Sequence, residues 1–113
     1  MNASTTWHPV CERDALTDRQ AVEFTVDDTP GFVMFHRDQL VAYANRCPHL
    51  GIELNWMPGR FLDADGDFIQ CATHGALFTP DRGHCIAGPC QGDALSPLEV
   101  RESRGQILVR VPD

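Results

Sequence analysis

The chain is short of positive charge: nine Lys and Arg face sixteen Asp and Glu, a formal net charge of −7 over 113 residues. A phosphate backbone would repel such a molecule on average, so the balance argues against nucleic acid and for a neutral or basic protein partner. No stretch reaches the ~18 consecutive apolar residues of a membrane helix. The opening MNASTTWHPVCERDAL holds neither a basic leader nor an apolar run, which reads as a cytoplasmic protein without a membrane segment. Repeats, linkers and low-complexity tracts are absent, and this length suits one domain spanning 1–113. Helical periodicity is nearly absent too, with only ERDALTDRQ (12–20) suited to a short helical turn. The five cysteines are an odd number without a secretion signal, which argues against a disulfide scaffold and for metal binding in a reducing compartment.

What the sequence does contain is strand pattern almost throughout. AVEFTV (21–26) alternates Val22, Phe24 and Val26 with polar partners. A turn is expected at Thr29-Pro30-Gly31, followed by GFVMFHRD and QLVAYANR as a meander. RFLDADGDFIQC sets two short apolar runs about an Asp-rich turn, a hairpin signal, and PLEVRESRGQILVRVP sets two more about Ser103 to Gly105. The fold expected is all-β and antiparallel. The Gly and Pro residues gather in the loops CPHLG, MPGR, HGALFTPDRG and AGPCQGDALSP.

Two of those loops carry the chemistry. Cys47-x-His49 and, after twenty-one intervening residues, Cys71-x-x-His74 place one thiolate and one imidazole at each of two loop tips. The hairpin between them returns the second loop beside the first. Two centres take such ligands: a tetrahedral Cys2His2 zinc, or a [2Fe-2S] cluster with two Cys on one iron and two His on the other. Zinc knuckles keep both cysteines together and both histidines together on a helix. The interleaved order here suits the cluster, with each loop giving one ligand to each iron.

At these residues the sequence resembles the Rieske-type [2Fe-2S] proteins, whose signature is C-x-H followed by C-x-x-H. CPHLGIEL and CATHGALF match it, including Leu54 and Gly75, and the likeness extends from about residue 20 to the end. The resemblance implies a basal antiparallel domain of stacked small sheets with a cluster-binding subdomain at about 45–90. It implies a [2Fe-2S] cofactor held by Cys47, His49, Cys71 and His74, with the histidines at the solvent edge. A third loop with a Gly-Pro step shields the cluster in this family, and Gly88-Pro89 matches it. The stretch between His49 and Cys71 is longer than in many short ferredoxins, within NWMPGRFLDADGD.

The resemblance also shows what is missing. High-potential members carry one extra cysteine in each loop, forming a disulfide, and a serine and a tyrosine that donate hydrogen bonds at the cluster. Here those positions are Ile52, Thr73, Ala76 and Phe78, so the potential is expected near the low end of the family's range of about −150 to +300 mV. By resemblance the chain is a soluble Rieske ferredoxin, a monomer or weak oligomer. It would carry electrons from a flavoprotein reductase to a terminal oxygenase and have no catalytic residues of its own. The alternatives are a small subunit of a larger oxidoreductase, as in nitrite reductases, and a zinc-stabilised interaction module; a redox or iron sensor would use the same cluster. Cys85 and Cys90 read as small buried thiols before a disulfide. His8, His36 and His84 read as surface imidazoles before a mononuclear iron site, which needs two His and a carboxylate. Leu50, Trp56, Met57 and Pro89 could form an apolar docking rim, and the Asp63, Asp65 and Asp67 run reads as a solvated turn before a calcium loop.

Overall fold

The computed structural model describes residues 6–16, 21–46, 48, 53–54, 61–62, 67–72, 75–89 and 91–111. Among them are nine strands: β1 (His8–Glu12), β2 (Val22–Val26), β3 (Thr29–His36), β4 (Gln39–Ala44), β5 (Ile69–Gln70), β6 (Leu77–Phe78), β7 (Cys85–Ala87), β8 (Glu99–Ser103) and β9 (Gln106–Arg110). They form three antiparallel three-stranded sheets, ordered β1-β9-β8, β2-β3-β4 and β5-β6-β7. The all-β expectation holds. The helical turn expected near the start is one 3-10 turn, Arg13–Ala15, and no helix among the described residues is long and apolar enough to cross a membrane.

Three hairpins close through two residues with positive φ: Asp27 and Asp28 (49° and 66°), Arg37 and Asp38 (51° and 65°), and Arg104 and Gly105 (52° and 79°). Left-handed turn residues match the right-handed twist of the flanking strands, and Asp tolerates that region because its carboxylate bonds locally. The turn expected at Thr29-Pro30-Gly31 is thereby corrected, since those residues begin β3. Gly31 serves close packing instead: a Cβ there would stand 2.8 Å from the Phe24 ring and 3.0 Å from the Tyr43 carbonyl oxygen. The turn expected at Ser103 to Gly105 stands where the pattern placed it. The arms of the Asp-rich hairpin also pair, with Leu62 bridging Ile69 and the Gln70 N–H donating to the Phe61 carbonyl at 2.8 Å; residues 63–66 lie outside the described residues.

The β2-β3-β4 sheet is the middle layer; β3 and β4 are buried on both faces, which explains their unbroken apolar runs, while β2 exposes Glu23 and Thr25. Phe32, Met34, Val41 and Tyr43 enter one core with Leu54, Phe61, Ile69, Cys71, Ala76 and Phe78. Val33 and Ala42, one step out of phase, enter a second core with Ile107, Val109 and Val111. The first core joins the middle sheet to the β5-β6-β7 sheet, and the second joins it to the β1-β9-β8 sheet. β1 was not expected from sequence. It lies at a sheet edge, where Pro9 costs no ladder hydrogen bond, and its register shifts between Pro9 and Cys11.

Tyr43 ties the middle sheet to the turn after β6. Its buried hydroxyl donates to the Pro80 carbonyl at 2.7 Å. Burial, and then the Asp81 carboxylate, push the hydroxyl up to about 12. The bond needs the neutral phenol, so its contribution is full below the ordinary tyrosine range near ~10 and is lost as pH rises through about 12.

Candidate metal centre

β5 delivers Cys71 to the end of the small sheet, where its side chain is 0% exposed. The tight turn that follows is pinned by backbone bonds: the Cys71 N–H donates to the Ala76 carbonyl at 2.9 Å, and the Gly75 N–H donates back to the Cys71 carbonyl at 2.8 Å. Gly75 takes φ +70°, the left-handed value that lets the chain reverse. The first loop is tied directly to the second, because the Ala72 N–H donates to the Leu54 carbonyl at 2.7 Å. Leu54, expected as part of the first loop's signature, is fully buried in the adjoining core.

Cys47, His49 and His74 lie outside the described residues, so of the four expected ligands the structure places Cys71. Its surroundings fit a cluster. The third loop passes against the second: a Cβ on Gly88, at φ +100°, would come 2.7 Å from the Ala76 Cα and 3.0 Å from its Cβ. Only glycine allows that approach. The neighbouring Pro89 is exposed, as a covering loop requires. Ala76 and Phe78 are both 0% exposed, which leaves the two substituted donor positions enclosed.

Gly88→Ala is expected to be the most disruptive single change at this loop that touches no ligand. It combines a left-handed backbone strain of ~1–3 kcal/mol with overlap against backbone that cannot swing away. The third loop should lift, and the cluster should bleach faster in air while far-UV circular dichroism stays that of the parent. An unchanged bleaching rate would show that this loop does not cover the centre.

The remaining candidates separate cleanly. Cys85 is buried on β7, with its thiol donating to the Ala87 carbonyl at 3.2 Å; Cys90 lies outside the described residues. His8 on β1 stands 3.6 Å from Asp27, His36 ends β3, and His84 bridges Ala94 before β7. Among the described residues no three His, Cys, Asp or Glu gather as a metal site. Leu50, Trp56 and Met57 of the expected rim, Asp63 and Asp65 of the acidic turn, and Ile52 and Thr73 also lie outside the described residues; Asp67 is exposed.

Sequence reasoning missed Asn45, the one polar or charged residue buried among the described residues, 2% exposed. Its signal was present: it continues the inward phase of Val41 and Tyr43, two residues before Cys47.

Comparison with known proteins agrees with this geometry. The family model described as the Rieske [2Fe-2S] domain matches residues 6–105, so the likeness begins before β1 and not near residue 20. The ferredoxin of carbazole 1,9a-dioxygenase from Nocardioides aromaticivorans IC177 superposes with a TM-score of 0.77 at 26% identity, covering 96% of this chain and 100% of that one. The terminal oxygenase of the same system shares the fold, with a TM-score of 0.81 at 20% identity over 99% of this chain and 32% of its own. Among curated proteins, cholesterol 7-desaturase of Caenorhabditis elegans is 33% identical over 86 residues, 74% of this chain and 19% of that protein. The chain thus spans about a fifth of that relative's length. With the three small antiparallel sheets, the tied loops and the buried Cys71 in place, the match over residues 6–105 settles the family: the chain belongs to the Rieske [2Fe-2S] domain family, and the group it binds is a [2Fe-2S] cluster, a one-electron carrier.

Proposed function

We propose that this protein is an electron carrier of low potential that takes single electrons from a flavoprotein reductase and delivers them to a terminal oxygenase. Cys47 and Cys71 hold one iron as thiolates, and His49 and His74 hold the other. The cluster supplies the redox chemistry when bound; the protein supplies its seat, its cover and its docking surface, and transforms no substrate itself. The observation that carries this reading is the end-to-end likeness to a ferredoxin, covering 96% of this chain and 100% of that one. A cytoplasmic carrier, acting as a monomer or weak oligomer, fits the same reading.

A second reading has its own support. The matches to the desaturase and to the terminal oxygenase cover 19% and 32% of those proteins, as expected if this domain works as one part of a larger oxygenase. Rapid mixing of the reduced protein with an oxidised oxygenase from the same cell separates the two. A carrier is reoxidised at a rate that rises with oxygenase concentration, and a substoichiometric amount sustains many turnovers in the presence of reductase. A protein that stays reduced under those conditions, or whose cluster elutes from native lysate only within a large stable complex, is not a free carrier.

A further inference from the structure

Asn45 ends the run Val41, Tyr43, Asn45 on the face of β4 that meets the cluster-bearing sheet. A side-chain amide at a core position is tolerated when its hydrogen bonds are made. The Asn45 Oδ1 accepts from the Leu54 N–H at 2.8 Å, and the Asn45 backbone N–H donates to the Pro30 carbonyl, at the start of β3, at 2.8 Å. The Leu54 carbonyl in turn accepts from the Ala72 N–H at 2.7 Å, beside Cys71. One side chain therefore connects the middle sheet to the first loop and, through it, to the second. Leu54 lies outside the named strands, so no ladder sets its position. Its backbone is held by the Asn45 Oδ1 on its N–H and the Ala72 N–H on its carbonyl.

We propose that Asn45 is a positioning residue for the cluster: it fixes the spacing between the two ligand loops and so holds the two halves of the ligand set in register. The proposal rests on ligation by those loops. An apolar residue of the same size would fill the same volume, but it would leave the Leu54 N–H without its acceptor and free the first loop to slide against the second.

The test uses the cluster-loaded full chain with three variants. Asn45→Leu and Asn45→Ala remove the acceptor, while Asn45→Asp keeps an oxygen in its place. Residues that orient metal ligands typically change metal retention by ~10–100-fold. The acceptor-less variants should therefore yield iron to a chelator faster by a factor in that range. Amide exchange should quicken at Leu54 and Ala72 but stay unchanged at Ile107 and Val109 in the opposite core, and the anisotropy of the reduced EPR signal should shift. Asn45→Asp should restore slow exchange at Leu54 and much of the retention. Two results would overturn the proposal: equal acceleration of exchange in both cores, marking a general packing defect, or faster exchange at Leu54 with retention and EPR signal unmoved. The EPR signal of the unsubstituted protein, recorded alongside, reports the ligand set by itself, so an error in ligation is told apart from an error about Asn45.

Discussion

Replacing His49 or His74 by alanine yields a protein that folds but does not keep its cluster. Each histidine is one of two protein ligands to its iron in the proposed set, and its loss leaves that iron with a single imidazole. Iron and sulfide per chain should fall by at least ~10-fold, beyond the effect of disturbing a group that merely orients a ligand. The fold should survive in part because its two cores are separate. Ile107, Val109, Val33 and Ala42 pack between the middle sheet and the β1-β9-β8 sheet without help from the ligand loops, so the strand signal in far-UV circular dichroism should persist. His84→Ala is the control, because His84 is exposed just before β7 and belongs to no ligand loop; it should retain full iron. Alanine variants at 49 or 74 with parental iron content would remove those residues from the ligand set.

Ala76→Ser and Phe78→Tyr should each raise the reduction potential. Both positions are 0% exposed, so a new hydroxyl there has no water to compete for it. A hydrogen bond to a charged group contributes ~1.5–3 kcal/mol. A one-electron potential moves ~100 mV for ~2.3 kcal/mol. Because the reduced state carries one more negative charge, a donor favours it, and the rise per bond is capped at about 130 mV by these values. Protein-film voltammetry of each variant checks the shift. No rise in either variant, with iron content unchanged, would assign the potential to exposure and net charge instead of hydrogen bonding.

How far the sequence discloses the molecule depends on the range of the interactions that decide each part. The strands β2, β8 and β9 are visible in the alternation of Val, Phe, Leu and Ile, and β3 and β4 in the unbroken apolar runs that burial on both faces produces. β1 is hidden because His8 and Pro9 interrupt its apolar pattern and a register shift follows. β5, β6 and β7 have two or three residues each, too few to show a period; β5 is legible only as an arm of the Asp-rich hairpin, and partners from the middle sheet hold all three. Pro30-Gly31 reads as a turn on local grounds, yet the packing of Phe24 against Gly31 places it in a strand. The ligand pattern and the Gly-Pro step of the third loop can be read directly, since both depend on residue type at fixed spacing. The Asn45 link cannot, because it is made with Leu54, nine residues away, across a loop whose path the sequence does not specify.

The central claim is a [2Fe-2S] cluster with two thiolates on one iron and two imidazoles on the other. Inequivalent ligands make the irons inequivalent, so a single added electron should reside on the histidine-bound iron. The most direct test is low-temperature EPR of the dithionite-reduced protein. The account predicts the low average g expected of mixed Cys and His ligation, with nitrogen hyperfine coupling from two imidazoles. A signal of the all-cysteine type, or a colourless protein that binds zinc and no sulfide, would contradict it.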